Sequence, residues 1–154
     1  MKKIIYWVPV IIIMIIIYSL SMDGSTASDY KSNGLADLII SIFHLKNINP
    51  FYLNVLIRKV AHFGIYFILG YFVINALFKT TSLNIFSIFI LSLLICIFYA
   101  CSDELHQLLV PGRSGEIRDI ILDSSGSGII ILLYYFYLKL FVKKTNYDKM
   151  KVIE

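Results

Sequence analysis

The chain alternates between long apolar runs and shorter polar segments. Four apolar runs stand out, at about residues 4–20, 60–78, 83–101 and 117–142. Each run reaches the roughly 17–25 residues that a membrane-spanning helix needs. An isolated segment in lipid can satisfy its backbone groups only as a helix. The pattern therefore predicts four transmembrane helices, even though the first run is rich in isoleucine.

A further element is predicted between the first two runs. Apolar residues recur there at helical spacing, at Leu35, Leu38, Ile39, Ile42 and Leu45, while Asp37, Ser41 and His44 fall on the opposite face. The stretch Asp23–Ser28 has the composition of a turn and helix cap, and Asn49–Pro50 is expected to end the helix. Such a pattern is typical of an amphipathic helix that lies in the membrane interface.

These elements together predict an all-α, polytopic membrane protein with four transmembrane helices and one interfacial helix in the first outer loop. We expect residues 1–145 to form a single membrane domain and residues 146–154 a short cytoplasmic tail. The composition agrees, since 58% of the residues are hydrophobic and only 16% are charged, which is unusual for a soluble protein. The basic residues flank the apolar runs, so we expect no nucleic-acid partner.

The distribution of charge predicts the orientation. With four spans, the two termini and the turn at Lys79 lie on one side, which carries eight cations and two anions. The other side carries six cations and eight anions, and the two sides account for all 14 cations and 10 anions. Cytoplasmic segments of membrane proteins are enriched in lysine and arginine. We therefore expect a bacterial plasma-membrane protein with cytoplasmic N- and C-termini.

Ionisable residues gather at the outer ends of three predicted spans. Each set falls on one helical stripe: Lys59, His62 and Tyr66 at the start of the second span, Asp103, His106 and Gln107 at the end of the third, and Asp119, Asp123 and Gly126 at the start of the fourth. Residues three, four or seven apart share a helix face. Ionisable residues at a membrane boundary are costly to bury, so such a cluster is a candidate functional site.

The three stripes are predicted to converge on an outward-facing polar pocket whose cations could hold a phosphate or carboxylate. The predicted ligand-binding residues are Lys59, His62, Tyr66, Asp103, Glu104, Gln107, Arg113, Asp119 and Asp123. If the protein is an enzyme, the catalytic candidates are His62, Asp103, Glu104 and His106. The chain has no recognised metal-binding signature, so we predict no bound metal and no cofactor, although a divalent ion on His62, His106 and Asp103 would support catalysis.

The motif Lys59-x-x-His62-x-x-x-Tyr66, followed by Asp103-Glu104-x-His106-Gln107, Pro111-Gly112-Arg113 and Asp119, resembles the VanZ-like family of bacterial membrane proteins. The resemblance covers most of the chain and is weakest in the first loop and the tail. It implies a role in the cell envelope, because the family's namesake is linked to low-level resistance to the glycopeptide teicoplanin. One departure is that the family often has asparagine where this chain has Asp123.

Several functions are compatible with these residues. The resemblance favours a non-catalytic envelope protein that binds membrane lipids, a lipid-linked cell-wall precursor or the lipid-tailed antibiotic. An intramembrane hydrolase or transferase acting on a phosphate-containing envelope lipid is the alternative, and a small transporter is a third. The polar residues could also serve only to hold the helices together. Loss of function at normal protein abundance in pocket variants would separate a functional pocket from this purely structural role.

Overall fold

The computed structural model describes residues 2–22, 25–44, 49–113 and 115–141. Within these ranges the chain is helical, with no β-strand. A 3₁₀ helix at Lys2–Tyr6 precedes five α-helices, which are α1 (Val8–Ser21), α2 (Ser25–Phe43), α3 (Pro50–Thr80), α4 (Ile85–Gln107) and α5 (Ile117–Phe141). Four of the helical segments are long and apolar enough to cross a membrane. The predicted all-α fold with four such helices is therefore confirmed.

The first loop differs from its prediction. Helix α2 already begins at Ser25 and ends at Phe43, so the turn expected over Asp23–Ser28 is wrong for Ser25 onward. The predicted role of Asn49–Pro50 is also wrong, because these residues begin α3. The Asn49 side chain accepts a hydrogen bond of 3.0 Å from the Phe51 amide, and Pro50 occupies the first helical turn, where its missing N–H costs nothing. Leu45 and the tail 146–154 lie outside the described residues.

Helices α3 and α5 run side by side at the centre of the bundle, and small residues let them approach closely. A Cβ atom at Gly126 would overlap the backbone carbonyl of Phe63, and one at Gly70 would lie 2.8 Å from the carbonyl oxygen of Ser127. Close packing through small residues is the usual way for helices to associate in lipid. Gly128 is different, since its Cβ would make only an ordinary contact of 3.8 Å with Leu93.

Polar contacts join α1 to α4 and attach α2 to α3. The Tyr99 hydroxyl donates a hydrogen bond of 2.5 Å to the Met14 carbonyl, and this bond joins α4 to α1. On α2, the Ser32 hydroxyl donates to Asn54 Oδ1 over 2.6 Å, and the Asn54 amide in turn donates to Asn33. These contacts fix α2 against the first turns of α3.

The apolar face of α2 is left uncovered by the rest of the bundle. Leu35, Leu38 and Ile42 are each more than half exposed, whereas Ala36 is fully buried. Exposed aliphatic residues along one helical stripe are what a helix in a membrane interface presents to lipid. The interfacial placement of α2 remains a prediction with which this face is compatible.

Candidate functional site

One end of the bundle brings four helix termini together. The C-terminal ends of α1 and α4 meet the N-terminal parts of α3 and α5, and described residues of the loop between α4 and α5 lie at the same end. A cleft of about 430 Å³ opens here, which is within the usual size range of small-molecule pockets. Its lining residues are Val55, Arg58, Lys59, His62, Gln107, Gly112, Arg113, Glu116, Arg118, Asp119 and Leu122.

The cleft wall is predominantly cationic. Arg58, Lys59, Arg113 and Arg118 line it, against the two carboxylates of Glu116 and Asp119. Guanidinium groups can bind phosphate and carboxylate oxygens in pairs, and an ammonium group adds a mobile point charge. The arrangement is therefore chemically suited to an anionic group.

Two contacts, each between a basic side chain of α3 and a carboxylate of α5, join these helices beside the cleft. The Nζ atom of Lys59 lies 2.6 Å from Oδ1 of Asp119, and one turn further along both helices Nδ1 of His62 lies 3.4 Å from Oδ2 of Asp123. From the first contact to the second, residue numbers increase along both helices, so α3 and α5 run parallel. The first pair is substantially exposed, whereas Asp123 is completely buried.

A group of buried polar side chains lies next to the cleft. Asp103 is 3% exposed, and Asp123 and Tyr66 are fully buried. One carboxylate oxygen of each aspartate, and the Tyr66 hydroxyl, has no hydrogen-bond partner. His62, Asp103 and Asp123 each present a potential metal-ligand atom within 4.8 Å of the other two, so three helices contribute one potential ligand each.

Glu104 and Gln107 hold the loop between α4 and α5. One carboxylate oxygen of Glu104 accepts from the backbone amide of Glu116 over 2.9 Å. The other accepts from Nε2 of Gln107 over 3.2 Å, and the same nitrogen donates to Asp103 over 3.2 Å. Glu104 thus has a partner on each oxygen, and its contacts are those of a residue that positions the start of α5.

Arg113 and His106 contact α1 at this end of the bundle. The Nη2 atom of Arg113 donates to the carbonyl oxygen of Leu20 over 3.4 Å. The His106 ring stacks on Tyr18, with ring centres 4.5 Å apart. Among the described residues His106 does not belong to the group of potential metal ligands, whose third member is Asp123.

The structure thus divides the predicted site residues into two groups. Lys59, His62, Gln107, Arg113 and Asp119 line the cleft. Tyr66, Asp103, Glu104 and Asp123 are buried and do not line it. The sequence prediction left out Arg58 and Arg118 as binding residues. In the sequence Arg58 directly precedes Lys59, and Arg118 directly precedes Asp119. These neighbouring positions were the sequence signal that could have identified both arginines.

A model of the VanZ/LLP1 family matches residues 6–140, a range that contains the whole cleft and the buried polar group. No match was found among curated proteins or solved structures.

Proposed function

Because the chain belongs to the VanZ/LLP1 family and is a multi-pass membrane protein, we propose that it acts in the bacterial cell envelope by binding an anionic headgroup in its cationic cleft. The observation that carries the proposal is the presence of Arg58, Lys59, Arg113 and Arg118 around one cleft. Phosphate-bearing membrane lipids and lipid-linked cell-wall precursors have the matching charge. Such a ligand would occupy the cleft with its headgroup while its tails stay in the bilayer.

The proposed orientation places the cleft on the outer side of the plasma membrane, with both termini in the cytoplasm. The support is the excess of lysine on the side of Lys79 and the termini. The cleft residues belong to the opposite ends of α3, α4 and α5 and to the loop between α4 and α5. An outer cleft would meet lipid-linked precursors and lipid-tailed antibiotics in the same leaflet.

Binding there would lower susceptibility to teicoplanin-type glycopeptides, either by retaining the lipid-tailed antibiotic or by changing the availability of its target. The test is teicoplanin susceptibility of a sensitive Gram-positive host that expresses the protein at matched membrane abundance. Lys59→Gln removes a cation from the cleft, and Lys79→Gln removes one from the opposite end of the same helix. We expect protection by wild type and Lys79→Gln, and loss of protection in Lys59→Gln.

Other outcomes have distinct meanings. Equal protection by both variants would contradict the role of the cleft. No protection even by wild type would contradict the link to teicoplanin, and binding of phosphatidylglycerol against phosphatidylcholine in nanodiscs would then decide whether the cleft recognises anionic headgroups. Equal binding of both lipids would contradict the anionic-ligand proposal.

A second candidate function is an intramembrane hydrolase or transferase that acts on a phosphate-containing lipid. The observation that favours it is the contact of His62, on the cleft wall, with the buried Asp123. A carboxylate that holds an imidazole in place is a frequent arrangement for a general base. Asp123→Asn distinguishes the two functions. Binding of an anion needs no charge at this position, so the variant keeps protection, whereas an enzyme that depends on the His–Asp pair loses it.

A further inference from the structure

We propose that His62, Asp103 and Asp123 bind one divalent transition-metal ion at the junction of α3, α4 and α5. Each helix contributes one ligand, and the three potential ligand atoms lie within 4.8 Å of one another. The proposal concerns ion binding alone and does not depend on whether the cleft accepts an anionic headgroup.

Burial of two carboxylates is the first argument. Asp103 and Asp123 are 3% and 0% exposed, and each has one oxygen without a hydrogen-bond partner. The other oxygen of each has a partner, Gln107 for Asp103 and His62 for Asp123. An ionised carboxylate that is buried with one oxygen unsatisfied is still costly unless it is protonated or bound to a metal. A divalent cation would balance both negative charges and give both oxygens a ligand bond.

The spacing of the ligand atoms is the second argument. In a tetrahedral site with metal–ligand distances of about 2.1 Å, neighbouring ligand atoms are about 3.4 Å apart. The observed limit of 4.8 Å exceeds that spacing by about 1.4 Å, so the three side chains would have to close in around an ion. Two of the three are aspartates, whose carboxylates can present either oxygen.

The surroundings of the group supply what a metal site requires. Nε2 of Gln107 donates to Oδ2 of Asp103, and such contacts from neighbouring residues orient a ligating carboxylate. His62 lines the cleft and keeps 26% of its side chain exposed. An ion can therefore enter through the cleft, and a fourth coordination position would remain open on that side for water or a bound ligand.

One imidazole and two carboxylates are suitable ligands for Zn²⁺ and Mn²⁺, and the general order of affinities favours Zn²⁺. The proposal departs from the sequence prediction of no metal. That prediction relied on signatures in one segment, whereas these three ligands come from positions 62, 103 and 123 on different helices.

The experiment uses the full-length protein in detergent, without a polyhistidine tag. The protein is treated with EDTA and titrated with Zn²⁺ and, separately, Mn²⁺, and the bound metal is measured by elemental analysis. We expect one Zn²⁺ per chain and a Zn²⁺-dependent increase in the melting temperature. Asp103→Asn and Asp123→Asn should each weaken Zn²⁺ binding by about tenfold or more, since even residues that only orient ligands have effects of this size.

Asp119→Asn is the matched control, because it removes a carboxylate one turn from Asp123 that is paired with Lys59. It should bind Zn²⁺ as wild type does. Should the other two variants fail to fold, X-ray absorption at the zinc edge of wild type gives the answer, with nitrogen and oxygen ligands and no sulfur expected. Binding well below one ion per chain, sulfur ligation, or an equal loss in Asp119→Asn would overturn the proposal.

Discussion

Lys59 and Asp119 are 60 residues apart in the chain, yet Nζ of the one lies 2.6 Å from Oδ1 of the other at the cleft wall. The side chains are 42% and 31% exposed, so water screens the pair and its contribution to stability is below about 1 kcal/mol. Its main effect is therefore on the charge available to a ligand. Asp119 pairs with the Lys59 ammonium group, which could otherwise bind an incoming anion.

Substitution of Asp119 should consequently strengthen anion binding. In Asp119→Asn we expect an increased affinity for phosphatidylglycerol and a nearly unchanged melting temperature, because the lost pair is weak and Lys59 is released. Native mass spectrometry in detergent measures lipid binding to wild type and variant in one experiment. Asp37→Asn, on the exposed face of α2, is the control for a general change in net charge. Weaker lipid binding in Asp119→Asn would show that the carboxylate itself contributes to the site.

Gly126 should tolerate no side chain. Its Cβ would overlap the Phe63 carbonyl, so Gly126→Ala must push α5 away from α3, at a cost of about 1–3 kcal/mol. Gly128→Ala lies two residues along the same helix and meets only an ordinary contact with Leu93. Thermal unfolding in detergent should therefore show a clearly lower melting temperature for Gly126→Ala and little change for Gly128→Ala. Equal melting temperatures would contradict the close approach of α3 and α5.

Loss of Glu104 should loosen the loop between α4 and α5. Glu104→Ala removes the acceptor of the Glu116 amide in a part-buried hydrogen bond, whose loss costs about 1 kcal/mol. Trypsin should then cleave after Arg113 or Arg118 faster than in wild type. Glu116→Ala is the control, since it removes an exposed carboxylate but keeps the amide that donates to Glu104. Unchanged cleavage in Glu104→Ala would contradict this positioning role.

Single cysteines would establish the orientation. Cys96 and Cys101 are both free thiols, and their joint replacement by alanine should leave function nearly unchanged. In that background, Glu116→Cys places a thiol at the cleft and Ser82→Cys places one at the other end, in the turn between α3 and α4. A membrane-impermeant maleimide should label the first in intact cells and the second only after permeabilisation. The reverse result would place the cleft in the cytoplasm.

The helices could be predicted from the sequence because apolar length alone decides what spans a bilayer. The polar turns that extend the helices beyond the apolar runs could not be predicted in this way. Asn54, Arg58 and Lys59 lower the hydropathy of the first turns of α3, although the helix continues through them because Asn49 caps it and α2 packs against it. A hydropathy pattern detects the part of a helix that contacts lipid. It does not detect turns that tertiary contacts hold in place.

The contacts within the candidate site could be predicted only in part, because they too depend on tertiary packing. Spacing of three, four and seven residues selected one stripe on each of three helices, and these stripes lie at the same end of the bundle, but a stripe is wider than one contact. His106 and Gln107 differ by about 100° around the axis of α4, so Gln107 meets Asp103 while His106 turns to Tyr18 on α1. Which member of a stripe faces which neighbour depends on the rotation of each helix, and that rotation is set by packing between distant segments.

The length of α3 has a consequence for how a ligand would arrive. Its 31 residues extend over about 46 Å at 1.5 Å per residue, whereas the hydrocarbon core of a bilayer is about 30 Å thick. The excess can be accommodated by tilt, by local thickening of the bilayer or by projection at the ends. If Lys79 marks one boundary of the hydrocarbon core, the other boundary lies about 20 residues away along the helix, near Lys59. Lys59 would then lie at the depth of the lipid phosphates. A lipid could then reach the cleft by lateral diffusion alone, without leaving its leaflet.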